Sequence, residues 1–179
     1  PYSQRASLSD ATQDTLNPDG TTQRLVNDKV GYIRNSVKAT VDAYDGTVDL
    51  YEFDKNDPVL KAWEGVFPDV VKPEAEISDE LREHFRYPED MFKVQRDLLA
   101  RYHVDDPNVF FNNDAFWSVP NDPTAEESRQ LNQPPYYVMA ADPETGKPSF
   151  QLTTSYRGLN REFLSAHMAV SSDPETYGD

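Results

Sequence analysis

A chain that carries Asp45-Gly46 between two runs rich in Val, Thr and Tyr has little choice over that stretch. Asp-Gly adopts positive φ at both central positions of a type I′ turn at low cost, so Ser36 to Asp54 is predicted to fold back as a β-hairpin. A two-residue loop sets Ala43 opposite Val48, Val41 opposite Leu50 and Ala39 opposite Glu52. One face then carries Val37, Ala39, Val41, Ala43, Val48 and Leu50, and the other Lys38, Thr40, Asp42, Tyr44, Asp49, Tyr51 and Phe53. The aliphatic face is expected to point inward.

Upstream, residues 1–20 are polar and turn-rich, with Asn17-Pro18-Asp19-Gly20 near their end, and read as an arm or loop. Thr21 or Thr22 can cap a helix whose apolar residues Leu25, Val26, Val30 and Ile33 follow helical spacing. Downstream, three helix starts are recognisable. Asp57-Pro58 opens a helix to Val66, Ser78 caps Asp79 to Phe85, and Pro88 opens Glu89 to Tyr102. In that last helix Met91, Val94, Leu98 and Tyr102 form one apolar stripe, and Glu89 and Asp90 lie where the helix dipole favours negative charge. Asp106-Pro107 starts a short turn through Phe111. Ser118 to Pro135, with four prolines, is a loop. Tyr136 to Ala141 and Ser149 to Tyr156 form a second hairpin around Asp142-Pro143-Glu144-Thr145-Gly146-Lys147. Glu162 to Ser172 is a further strand, with a helix over 161–170 as the alternative. Strands and helices are segregated along the chain, so an α+β domain over residues 21–179 is expected, rather than a parallel βαβ sheet. Its antiparallel sheet joins the two hairpins and the further strand, and its helices cover one face. Met91, Val94 and Leu98 are expected to meet the aliphatic hairpin face.

With 17 basic against 32 acidic residues the net charge is −15, which repels nucleic acid and anionic bilayers. No apolar run approaches the roughly 20 residues that span a bilayer, and the opening Pro1-Tyr2-Ser3-Gln4-Arg5 has no signal-peptide core, so these residues read as a soluble piece. The absence of cysteine excludes disulfides, thiolate metal sites and cysteine nucleophiles.

Candidate chemistry is sparse. Asp42 and Asp49 face each other in the predicted register, a like-charge pair that a calcium ion, Lys38 or solvent would relieve, but no stretch fits an EF-hand. Three histidines are too scattered for a zinc triad. Of these, His103, next to Asp105 and Asp106, is a candidate base or metal ligand; its place just past a helix favours contact with terminal carbonyls. Asn112-Asn113-Asp114 and Ser171-Ser172-Asp173-Pro174 are oxygen-rich, but these are also the residues that turns require. No Gly-x-Ser-x-Gly elbow, Ser-x-x-Lys pair or phosphate-cradling glycine loop is present. Trp63, Phe67, Phe110-Phe111, Phe116-Trp117 and Tyr136-Tyr137 could floor a carbohydrate or peptide groove; in a chain with 37% hydrophobic residues the rings are instead expected to fill the core. No catalytic or cofactor-binding residue stands out.

Longer strings carry more information. The run from Tyr32-Ile33-Arg34-Asn35 through Ala43-Tyr44-Asp45-Gly46-Thr47-Val48 resembles the large bacterial membrane proteins of uncharacterised protein family one-eight-two, best known from actinobacteria. So do Asp57-Pro58-Val59-Leu60-Lys61-Ala62-Trp63, Arg86-Tyr87-Pro88-Glu89-Asp90-Met91-Phe92 and Ser171-Ser172-Asp173-Pro174-Glu175-Thr176-Tyr177-Gly178. The resemblance implies N-terminal transmembrane helices followed by a large extracytoplasmic domain, of which this chain is a segment at the cell membrane. It implies no activity, substrate or catalytic residue. Similar proteins continue past Tyr177-Gly178-Asp179 into another strand-like stretch, so a cut sheet edge that self-associates is also expected. The resulting expectation is a non-catalytic interaction or ligand-binding module that contacts the remainder of its own chain, an envelope protein or a glycan. The alternative is part of an envelope enzyme or transporter-associated hydrolase whose site absent parts of the chain complete.

Overall fold

The computed structural model describes residues 14–16, 22–24, 32–125, 131–141 and 146–179. Asp14–Leu16 (β1) and Thr22–Arg24 (β2) pair antiparallel, so strand replaces loop at 14–16 and replaces the first turn of the expected helix at 22–24. The remainder of that expected helix up to residue 31 lies outside the described residues, and residues 32–36 are not helical.

The first hairpin forms from Val37–Val41 (β3) and Val48–Glu52 (β4), but its register differs from the expected one: Val41 lies opposite Val48, Ala39 opposite Leu50 and Val37 opposite Glu52. The cause is Asp42. Its carboxylate accepts from the Tyr44 N–H at 2.7 Å, and its backbone N–H donates to the Thr47 carbonyl at 2.8 Å. This side-chain turn lengthens the loop, and Gly46 supplies the left-handed residue at φ 77°. The slip is an even number of residues, so the two faces keep their membership. The inward face is the other one. Tyr51 is buried, while Val41 and Val48 are 66% and 57% exposed. Rings bury far more area than alanines and valines, and Tyr51 and Phe53 reach Ile77, Leu81, Phe85 and Tyr177 to form one core.

After β4, Asp57 caps Pro58–Val66 (α1), its Oδ1 accepting from the Val59 N–H at 2.9 Å, with Pro58 at the first helical position. The chain then returns as Val71–Lys72 (β5), parallel to β4 with Leu50 opposite Val71. A helical crossover between parallel strands therefore occurs here, where only antiparallel pairing was expected. A 3-10 turn, Glu74–Glu76, and the Ser78-capped helix Asp79–Glu83 (α2) follow; α2 is shorter than predicted.

The second half is a separate sheet, not an extension of the first. Pro148–Gly158 (β8) is its centre. Tyr136–Ala141 (β7) and Trp117–Ser118 (β6) pair along one edge of β8, and Leu164–Ser171 (β9) along the other, all antiparallel. Glu89–Tyr102 (α3) lies on this sheet. Phe92, Leu152 and Tyr156 are fully buried, and the Tyr156 hydroxyl donates to the Arg96 carbonyl at 3.0 Å. The apolar stripe of α3 was legible but its partner was not: Met91 packs on the Tyr87, Phe92, Leu152 and Val170 cluster of the second sheet, and Leu98 is 42% exposed. Pro107–Asn112 (α4) is a short helix where a short turn was expected after Asp106.

Tyr177 touches both cores. Its hydroxyl accepts from Lys38 Nζ at 2.7 Å and Asn35 Nδ2 at 3.0 Å, and donates to the Arg86 carbonyl. Lys38 Nζ also lies 4.8, 5.5 and 5.0 Å from the ring centres of Phe53, Phe85 and Tyr177. Burial pushes the Lys38 pKa down to about 8, from an ordinary 10.5. Between those values the unfolded chain holds a proton that the folded chain releases, so stability rises as pH increases through this window. Burial also raises the pKa values of Tyr177 and Tyr156, and their tyrosinates oppose folding above about pH 10. The thermal midpoint is therefore expected to rise from pH 7 to about pH 10 relative to Lys38→Met; parallel curves for the two proteins would show that the amine is not desolvated. Phe92→Ala is expected to destabilise by about 3–5 kcal/mol in chemical denaturation, the ordinary range for a fully buried ring.

Candidate functional site

Turning its aromatic face inward leaves the aliphatic face of the first sheet to α1, and α1 does not close over it. An open groove of about 370 Å³ runs between them. Val37, Leu50 and Val71 contribute from the sheet, Leu60, Trp63 and Phe67 from the helix and its C-terminus, and Val70 from the return loop. Leu60, Trp63 and Phe67 share one helix face by their i, i+3, i+7 spacing. Trp63 and Phe67 stack with ring centres 5.4 Å apart, yet they are 60% and 49% exposed, and Val70 is 54% exposed. These two rings lie at the surface, where the composition argument had placed them in the core. Their spacing beside Leu60 was the available signal. It marks one helix face as apolar and leaves open whether that face is covered.

The groove is almost wholly apolar, with Ser36, Asp57 and Glu64 as its polar members. Asp57 is 3% exposed and accepts from the Tyr32 and Ser36 hydroxyls as well as the Val59 N–H. Burial raises its pKa, but these hydrogen bonds outweigh that effect and hold it below the usual carboxylate value. Asp57 is therefore an ionised acceptor that ties the chain before β3 to the start of α1. A general acid would require the opposite shift.

A second, more polar cleft brings Arg34, Lys38, Arg86 and Asp90 together. Each cation there is already engaged. Arg34 pairs with Asp54, Arg86 stacks 4.2 Å over Phe150 and donates to the Glu83 carbonyl, and Lys38 lies within its rings.

The residues singled out in the sequence do not converge. Asp42 is held in the hairpin turn. Asp49 lies opposite Thr40, not Asp42, and pairs with Lys72 at 2.8 Å. His103 follows α3, with Nδ1 2.7 Å from the Leu99 carbonyl and Nε2 3.1 Å from the Ala115 carbonyl, and it stacks on Trp117 at 3.5 Å. Neither ring nitrogen is left for a metal. Asp105, two residues on, is exposed. Among the described residues no three His, Asp or Glu side chains gather as metal ligands. The oxygen-rich segments close local structure: Asn113 is the left-handed residue that ends α4, and Ser171 bonds the Thr176 hydroxyl at 2.7 Å.

Among the described residues no helix is long and apolar enough to cross a membrane. No solved structure matches the chain. A UPF0182 protein of Corynebacterium glutamicum (strain R) is 74% identical over 180 residues, covering 100% of this chain. UPF0182 proteins of Corynebacterium diphtheriae and Rhodococcus jostii (strain RHA1) are 69% and 65% identical over 99% of it. The chain spans about 18% of the length of each of these relatives. The profile of the uncharacterised protein family UPF0182 matches residues 1–179, and the chain belongs to that family.

Proposed function

We propose that this chain is a non-catalytic interaction module on the extracytoplasmic side of a longer, polytopic membrane polypeptide, and that the α1 groove is its contact surface. The observation that carries the reading is the exposure of Trp63, Phe67 and Val70 around one apolar depression. Large exposed apolar patches on soluble domains mark interaction sites. Membership of a family whose proteins are more than five times longer supports a contact with the rest of such a polypeptide. An envelope hydrolase would need polar groups free at a cleft, whereas Asp57, Lys38 and His103 all have hydrogen-bond partners within the fold.

Tyr44, fully exposed at the hairpin tip, and the absence of cysteine allow a direct test of sidedness. In a full-length family polypeptide freed of other cysteines, Tyr44→Cys is expected to react with a membrane-impermeant maleimide in intact spheroplasts. Reaction only after lysis would place the segment in the cytoplasm and end the proposal. In the isolated chain, Trp63→Ala and Phe67→Ala are each expected to change stability by no more than about 1 kcal/mol, as surface substitutions do. Losses near those of Phe92→Ala would mean that these rings hold the fold together.

A further inference from the structure

We propose that the α1 groove receives a basic amphipathic helix, its apolar face entering between α1 and the sheet and its Lys or Arg side chains meeting Glu64 and Glu52. The proposal rests on the groove being a contact surface and adds the chemistry of the occupant.

Two observations select that chemistry. The first is charge. Of the residues lining the groove, the charged ones are Asp57 and Glu64, both acidic, and no Lys or Arg lines it. Glu52 lies directly opposite Val37 in the β3–β4 ladder and so shares the sheet face of that lining residue. Asp57 is engaged with Tyr32, Ser36 and Val59. Glu64 and Glu52 have no ion-pair partner among the described residues. The nearby cation Lys72 cannot serve them: opposite Tyr51 in the ladder, it is on the other sheet face, where it pairs with Asp49 and lies over the Tyr51 ring. An apolar groove with unneutralised acids at its rim complements a segment that is apolar on one side and basic on its flanks.

The second is shape. A small-molecule site encloses about 70–90% of its ligand. Here the stacked rings at the rim are about half exposed, so an occupant must bring surface of its own to cover them. A helix does this by placing residues at i, i+3 or i+4, and i+7 into the groove while its shoulders lie against the rim.

The experiment uses Trp63 as reporter, with Trp117→Phe removing the other indole. Three synthetic peptides of about 18 residues, or five helical turns, share one leucine face and carry Lys, Gln or Glu elsewhere. The Lys peptide is expected to blue-shift Trp63 emission saturably and to bind about threefold to tenfold more tightly than the Gln peptide, the range for two exposed ion pairs. Added salt should narrow that gap. Glu64→Lys should reduce or invert the preference, and Phe67→Asp should abolish the shift. Equal affinity for all three peptides would overturn the basic occupant while leaving the contact surface in place. No shift with any peptide would overturn both. A shift with dodecyltrimethylammonium below its micelle concentration, but with no peptide, would identify a small amphiphile site and overturn the helix.

Discussion

One ammonium group joins the two halves of this fold. Lys38 leaves the first sheet, passes among Phe53, Phe85 and Tyr177, and donates to the Arg86 carbonyl and the Tyr177 hydroxyl. Each ring comes from a different part of the chain, and Tyr177 packs against both hydrophobic clusters. Partly desolvated cation–π contacts contribute about 2 kcal/mol. The fall of the lysine pKa to about 8 means that burial still disfavours its charged form. A methionine could fill the space without that cost. What the lysine adds is a condition on geometry, because its two acceptors are reached only when this face of β3 is turned inward. A buried polar group of this kind selects one arrangement from several that an apolar side chain would tolerate.

That selection has consequences on the opposite side of the sheet. With Tyr51 and Phe53 committed to the core, Val37, Leu50 and Val71 face outward and need a cover. The α1 crossover supplies Leu60, which is buried, but Trp63 and Phe67 further along the same face are left in solvent. The groove is thus the counterpart of the joint at Lys38: the same choice of face that closes one side of the sheet opens the other.

Signals carried by neighbouring residues were legible in the sequence. The Asp57, Ser78 and Asp106 caps form as side-chain hydrogen bonds to the first turns of their helices, and the strands of the second sheet other than the two-residue β6 lie within the runs read as strands. Signals that depend on distant partners were not. Periodicity assigned α3 an apolar stripe, but whether that stripe would meet Ala39 or Leu152 depends on how the chain returns 50 residues later. Faces of the first hairpin could be sorted but not oriented, because Val and Ala are more apolar per atom while Tyr and Phe bury more area per residue, and area prevails. The turn at Asp42 failed for a smaller reason: the favoured Asp45-Gly46 pair competes with an aspartate three residues earlier that can cap the same loop. His103 was legible as a helix-end residue, and Trp63 and Phe67 as rings able to floor a groove, but whether the helix face they share would be covered depends on distant parts of the chain.

An exposed apolar depression would ordinarily drive copies of a protein together, and here the charge works against that outcome. Two copies carrying −15 each would have to bring Glu64 of one groove, and Glu52 on the same sheet face, toward the same residues of the other in a symmetric pairing. Apolar burial of the kind the groove offers acts over contact distance, whereas repulsion between net charges of this size extends over roughly 8–10 Å at physiological salt. Approach of a like copy is therefore opposed before the rings can touch, while an oppositely charged segment is drawn in over the same range. The acidic composition and the open groove are consistent features of one surface: the net charge disfavours approach of a like copy and favours a partner of the other sign.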